Sequence, residues 1–259
     1  MAYWQDRMAR AQDALTAKKK KEIDKQLKKY YGKSMERIIN SFERTYDKIL
    51  IQQAEGKQVT PADLYRLDSY WKMQGQLKME LQKLGDKQIS LFSKVFELHF
   101  FDIYYSIALD STNAFSTIST ETVHQMLNQI WVADGKNWSQ RIWENTELLA
   151  ETLNEELIHC VAAGQKPTYL KQALQEKFNV SYNRADAVVR TELSHIQTQA
   201  AQKRYEDYGV KEVMVWADKD ERRCEVCGAL HEKKYLIGSQ MPIPAHPRCR
   251  CCIIPVVED

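Results

Sequence analysis

The stretch Arg222–Cys252, "RRCEVCGALHEKKYLIGSQMPIPAHPRCRCC", holds five of the chain's six cysteines and two of its six histidines. Cys224 and Cys227 have two residues between them, the spacing with which a tight turn points both thiolates at one metal ion. Eighteen residues further on, His246, Cys249, Cys251 and Cys252 offer a second pair of the form H-x-x-C or C-x-C. The best ligand set is Cys224, Cys227, His246 and Cys249, with Cys251 able to replace His246. Cys252 falls on the other side of an extended strand and is the spare. His231, four residues after Cys227, is a weaker candidate. Zinc suits such a set, being tetrahedral, redox-silent and content with mixed thiolate and imidazole ligands. The competing reading is a group of reduced, metal-free cysteines that oxidise outside the cell.

Four protein ligands leave no open coordination position, so the expected role is structural. A module below roughly 40 residues needs a staple of this kind to fold. Replacing Cys224 and Cys227 by serine is therefore expected to unfold the segment after Gly209 and spare the helices before it. Known catalytic zinc patterns are missing. The deaminase pattern needs H-x-E with P-C-x-x-C, whereas Arg223 precedes the first cysteine here. The H-E-x-x-H pattern fails because Lys233 and Lys234 follow His231-Glu232 with no second histidine in step. Asp218, Asp220, Glu221, Arg222 and Arg223 read as a polar turn, and no Walker loop, G-x-S-x-G or dinucleotide fingerprint occurs. No enzymatic activity is expected.

Outward from this tail the chain changes grammar. Of 259 residues 44% are hydrophobic, enough for a real core, and 37 basic against 35 acidic residues give a net charge of +2. A balance so close to neutral supplies no general attraction to nucleic acid. The first residues lack the apolar run of a secretory signal, and no uncharged run reaches the roughly 20 residues of a membrane helix. A soluble protein made in a reducing cytoplasm, without a membrane partner, is expected.

Apolar residues from Ile23 to Leu50 recur at three- and four-residue steps, predicting one long amphipathic helix over about 5–53, or two broken near Gly32. Its lysine run Lys18–Lys21 reads as a solvated face. Thr60, Pro61 and Asp63 predict a helix start, with that helix running to Gly85. Lys87–Leu109 predicts a separate core helix. His99 and His124, each alone in a helical pattern, read as structural. A short helix from Thr120 is followed by a helix capped by Ser139 and ending at Gly164, with Cys160 as a core residue. Two more helices are predicted, one from Thr168 and one from Ser181 to Gly209. "EVMVW" and "CIIPVV" then read as strands. The fold class is predominantly α: a multi-helix body, with a long N-terminal amphipathic helix, carrying a small zinc-stapled β module (α+β overall). Along the chain this divides into a helical region 1–130, a helical part 131–209 and a β module 210–259. The stripe of Tyr30, Tyr31, Ile38, Phe42 and Tyr46 needs a cover. Either the helix near Phe92–Leu109 receives it, or a partner does, which would make 1–130 the docking part.

Four elements in order, "WSQRIWENTELLAETLNEEL" (138–157), "RTELSHIQTQA" (190–200), "VWADKDERRCEVCGALHEKKY" (215–235) and "PAHPRCRC" (244–251), resemble the phage Mu F-like minor head proteins. The resemblance spans roughly Trp131–Val257. It departs from the family pattern where Glu232 replaces a frequent glycine and Ala245 a frequent proline. What the resemblance implies is a minor capsid protein of the phage head. It would lie in the capsid interior, and in the host cytoplasm during assembly, associated with the portal protein and in reach of scaffold or major capsid protein. It would assist head assembly and genome packaging or ejection. Contact with packaged double-stranded DNA, through Arg248 and Arg250, would be weak and non-specific. The alternatives from other classes are a metal-dependent nuclease or toxin-like enzyme with a zinc-stapled module, and a cellular zinc-ribbon DNA binder.

Overall fold

The structure, a computed structural model, describes residues 2–57, 59–109, 116–217, 221 and 223–256. Asp218, Asp220 and Arg222 of the expected polar turn, and Val257 at the end of the resemblance, lie outside the described residues. The elements in chain order are α1 (Ala2–Ala54), α2 (Pro61–Leu64), α3 (Asp68–Ser106), α4 (Thr120–Leu127), α5 (Trp138–Ala162), α6 (Pro167–Asp207), β1 (Glu212–Trp216), α7 (Glu225–Leu230), β2 (Lys234–Leu236) and β3 (Cys252–Pro255). The protein is predominantly helical, with one small antiparallel sheet of order β2-β1-β3. Val213 faces Tyr235 on one side of β1, and Trp216 faces Cys252 on the other.

Local chemistry accounts for several boundaries. Pro61 opens α2, and the Asp63 carboxylate accepts hydrogen bonds from the Thr60 N–H (2.9 Å) and hydroxyl (2.7 Å). Ser119 caps α4 by accepting from the Thr122 N–H at 3.1 Å. Gly164 (φ 58°) and Gly209 (φ 72°) end α5 and α6 in the left-handed conformation that glycine adopts without strain. In each, the following residue's N–H returns to a carbonyl five positions back, Gln165 to Cys160 and Val210 to Tyr205.

α1 runs unbroken through Gly32, the first of the two readings offered for it, and two expected breaks are absent: α3 runs through Gly85 and α6 through Ser181. At Gly85 a β-carbon would come within 2.6 and 2.9 Å of two ring atoms of Trp143 and closer still to a third. That glycine is a helix-packing contact on α3, not a stop. Ser181 is buried, with its hydroxyl 3.2 Å from the Tyr31 hydroxyl, so tertiary packing has claimed the side chain that would otherwise cap a helix.

The chain forms two compact units, each drawn from separated segments: residues 1–24, 91–138 and 187–259 in the first, and 25–90 and 139–186 in the second. The linear segments 1–130, 131–209 and 210–259 cut across both. In the second unit, α1 buries Tyr31, Ile38, Phe42 and Tyr46, with Tyr30 half-buried. Tyr46 donates to the carbonyls of Gln165 (2.6 Å) and Cys160 (3.1 Å), and Tyr31 bonds to the Ser181 carbonyl at 3.3 Å. The stripe expected to need a cover is therefore core of this unit. Its receivers come from α3 before residue 91, from α5 and from α6, rather than from Phe92–Leu109. Cys160 is fully buried there, as expected of a core residue.

In the first unit, Phe92, Phe96 and Trp138 pack edge to face or stacked, and Ile103, Leu193 and Ile196 fill the interior. A polar seam crosses this core. Thr16 lies 3.3 Å from His99 Nε2 and donates to Gln197 Oε1, while Gln12 and Tyr205 both donate to the Ile253 carbonyl. His99 is fully buried, and burial pushes its pKa down to about 4. His124 instead sits at the surface, 3.0 Å from Glu97. Among the described residues neither histidine belongs to a group that could hold a metal ion. Within the lysine run, Lys19 pairs with Asp102 at 3.0 Å. No described helix is long and apolar enough to cross a membrane.

Candidate metal centre

The ligand pairs are each built across one turn. Cys224 is the N-cap of α7, in extended conformation, and its sulfur accepts the Cys227 N–H at 3.4 Å. One helical turn thus brings both sulfurs to the same side. The second pair uses a different turn with the same step. The Cys249 N–H returns to the His246 carbonyl at 3.1 Å, Pro247 occupies the first central position, and Arg248 follows at φ 63°. Proline followed by a positive φ is the signature of a type II turn. The Arg248 N–H donates to the Thr191 hydroxyl on α6 at 3.1 Å, which ties this turn to the helical part of the same unit.

The two turns face each other. His246 Nε2 lies 3.3 Å from Cys224 Sγ and 3.1 Å from Cys227 Sγ, and Cys227 Sγ lies 3.8 Å from Cys249 Sγ. Two overlapping triads, Cys224–Cys227–His246 and Cys227–Cys249–Cys251, have their ligand atoms within 4.8 Å of one another. The residues of the best sequence set divide between the two triads: Cys227 belongs to both, Cys224 and His246 stand with it on one side, and Cys249 stands with it and the alternative Cys251 on the other. His246 Nδ1 is 2.9 Å from the Pro247 carbonyl, which can only accept, so Nδ1 carries the proton and Nε2 presents its lone pair to the sulfurs. That tautomer is the one a metal ligand requires.

The electrostatics of the cluster run in both directions, favouring the thiolate at two cysteines and the thiol at two others. A hydrogen bond from the Cys251 thiol brings Cys249 down to about 5, aided by the Cys251 and Ala245 backbone N–H groups. Cys251, the donor to that thiolate, is correspondingly raised. Burial pushes Cys227 up to about 12, and the hydrogen bond from the Cys227 backbone lowers Cys224. The carbonyl of Pro247 raises His246. Such a set of adjacent thiols and one oriented imidazole could hold a metal ion.

The other sequence candidates fall elsewhere. Cys252 is buried with Ala9, Trp216 and Ile254, on the far side of the strand as expected. His231 turns away from the sulfurs: its Nδ1 accepts the Ala217 N–H at 3.2 Å, and its ring meets Trp216 edge to face. Glu232 adopts φ 62°, the conformation that explains why the resembling family often has glycine there. Arg248 and Arg250, together with Arg223, line a small opening over the cluster, of ≈ 50 Å³. Arg223, which the sequence places in the polar turn, thus also borders the cluster. The contact of Thr191, in the R-T-E element, with the ligand-bearing turn joins residues 57 apart in sequence, which spacing does not reveal.

The sheet is not independent of the helices. Met8 and Ala9 of α1 pack against Met214, Trp216, Cys252 and Ile254. The expectation that the segment after Gly209 can unfold alone is thereby revised: α1's first turns share its apolar cluster.

Fold and site together define a helical protein that carries a small β module closed by a cysteine and histidine cluster. The model of the family described as "Phage Mu protein F like protein" matches residues 151–254, and that segment is similar to the members of this family. The match covers less than half of the chain. It contains the R-T-E element, both ligand pairs, β1, β2 and all but the last residue of β3. No curated protein and no solved structure matches the chain.

Proposed function

We propose that the protein is a minor capsid protein acting in phage head morphogenesis. The observation that carries this reading is the Mu F-like match over 151–254, a segment that encloses the whole cysteine cluster. The resemblance supports the finer statements: a place in the capsid interior, association with the portal protein or with scaffold or major capsid protein, and assistance in genome packaging or ejection. Mass spectrometry of purified virions tests the proposal. The protein is expected among the virion components, and its absence from them overturns the reading.

The metal of this proposal is zinc. Around a zinc ion with bonds of about 2.3 Å to sulfur and about 2.0 Å to nitrogen, tetrahedral geometry separates two sulfurs by roughly 3.8 Å and sulfur from nitrogen by roughly 3.5 Å. Three separations in the set are close to these, 3.8 Å between the Cys227 and Cys249 sulfurs and 3.1 and 3.3 Å from His246 Nε2 to the Cys227 and Cys224 sulfurs, while Cys249 joins Cys224 and His246 only through Cys227. Cys224, Cys227, His246 and Cys249 would hold the ion, which would tie α7 to the turn leading into β3. A full set of protein ligands supports a structural rather than an enzymatic role. Arg248 and Arg250, at the mouth beside the cluster, would reach DNA phosphates without reading bases. Elemental analysis of protein purified without added metal should find about one zinc per chain; metal-free protein with native circular dichroism would remove the zinc proposal and leave the virion proposal standing.

A further inference from the structure

On the second unit, α3 and α5 leave an open groove of ≈ 440 Å³. Leu77, Leu81, Trp143 and Ala150 give it an apolar floor, and Glu147 and Glu151 stand on its α5 wall, across from Lys78. The α5 wall is strongly one-sided in charge. From Trp138 to Ala162 the helix has Arg141 as its one basic Lys or Arg residue, against Glu144, Glu147, Glu151, Glu155 and Glu156. Glu147, Glu151 and Glu155 are exposed and recur every fourth residue, so they form a row along one face. Among the described residues none of these three has an ion-pair partner, whereas Glu156 is paired with Lys177 at 3.4 Å. An unneutralised row of carboxylates beside an apolar floor asks for a partner that is cationic on one edge and apolar on its face.

We propose that this groove is the docking site of a basic amphipathic helix from a partner protein. Four residues of helix rise about 6 Å, so the carboxylate row repeats at about 6 Å and runs about 12 Å from Glu147 to Glu155. Lysines or arginines at every fourth position of a second helix repeat at the same 6 Å and meet the row in register, in either chain direction. Apolar side chains three and four positions along the same helix then descend onto Leu77, Leu81 and Trp143, the anchor pattern of helix-in-groove recognition. The burial of α1's aromatic stripe removes the other apolar surface that sequence offered for docking. The inference does not depend on the head-protein reading, since it rests on the groove and its charges alone.

The test uses the full chain and a fluorescein-labelled 14-residue helical peptide. It carries leucine at positions i, i+4, i+7 and i+11, with lysine at every fourth position flanking them. A second peptide replaces each lysine by glutamate. Anisotropy titrations should give an affinity for the basic peptide at least tenfold above that for the acidic one. In indole NH spectra the Trp143 cross-peak should shift while that of Trp216 stays in place. The double variant Glu147→Lys/Glu151→Lys, both sites exposed, should melt as the parent does. It should lose roughly tenfold in affinity for the basic peptide, the scale of two ion pairs turned repulsive. Basic-peptide binding that is unchanged in the double variant, or that moves Trp216 rather than Trp143, overturns the proposal. So does concentration-dependent self-association of the peptide-free protein that the double variant abolishes, since the occupant would then be a second copy of this chain.

Discussion

Replacing Gly85 by alanine, beside the same change at Gly75, separates helix propensity from packing in a single helix. Both glycines lie inside α3, and a β-carbon at Gly75 meets nothing within 4 Å. Alanine exceeds glycine in a helix interior by about 1 kcal/mol, so Gly75→Ala should stabilise by about that amount. At Gly85 the same gain is opposed by the Trp143 ring, with which a β-carbon would overlap at three atoms. Forcing an added carbon into filled space costs about 1–3 kcal/mol. The net expectation for Gly85→Ala is a loss of about 0–2 kcal/mol, and a gap of about 1–3 kcal/mol between the two variants. At about 2–4 °C per kcal/mol for a chain of this size, Gly85→Ala should melt about 2–12 °C below Gly75→Ala. Thermal denaturation followed at 222 nm reads the difference. Repeating the pair in a Trp143→Ala background should erase it, because the opposing ring is gone. Equal shifts for the two variants in the parent protein would refute the close approach of Trp143 to α3.

Metal removal should loosen more than the tail. With Cys224 and Cys227 both replaced by serine, hydrogen exchange is expected to accelerate in β1 and β3 and also around Met8–Gln12, while Tyr31–Tyr46 stays protected; protection retained around Met8–Gln12 would contradict the shared apolar cluster. Acid should act on the first unit through buried histidines. Burial lowers His99 to about 4 and His195 to about 3, so the unfolded chain, with histidines near 6.5, takes up protons first as pH falls. The stabilisation from neutral His99 is whole above pH 6.5 and declines between about 6.5 and 4, by up to ~3 kcal/mol. Urea midpoints at pH 7 and 4.5 should show that decline, and His99→Gln should reduce it. Glu232→Gly should raise stability by about 1 kcal/mol, because Glu232 occupies a left-handed conformation; a lower urea midpoint would show that its side chain matters more than its backbone.

The candidate site was legible because its geometry is local. Each ligand pair is three residues apart and closed by one turn, so spacing alone singled out Cys224 with Cys227 and His246 with Cys249, while the facing of the two turns is a tertiary contact. Strand alternation likewise separated Cys252 from the cluster. What could not be read was punctuation with a tertiary cause. Gly85 looked like a stop because glycine often is one, yet it serves a ring 58 residues away. Ser181 looked like a cap, and its hydroxyl is engaged with Tyr31, 150 residues earlier. The aromatic stripe of α1 was recognised as needing a cover, but periodicity says how much surface must be covered and not by which helix. Thr191 and the α3–α5 groove depend on pairs of elements, and no single window of sequence contains either.

The interleaving of the two units bears on how the protein can be taken apart. The segment 151–254 is recognisable by its sequence, yet excised it would lose residues 1–24 and 91–138 from one interior and 25–90 and 139–150 from the other. Such a fragment would expose two half-filled cores, and its insolubility would say nothing about metal binding. Reconstitution from complementary pieces meets the same obstacle, because any single cut between residues 25 and 186 splits at least one interior across both pieces. Point substitutions in the intact chain are the scalpel this topology permits.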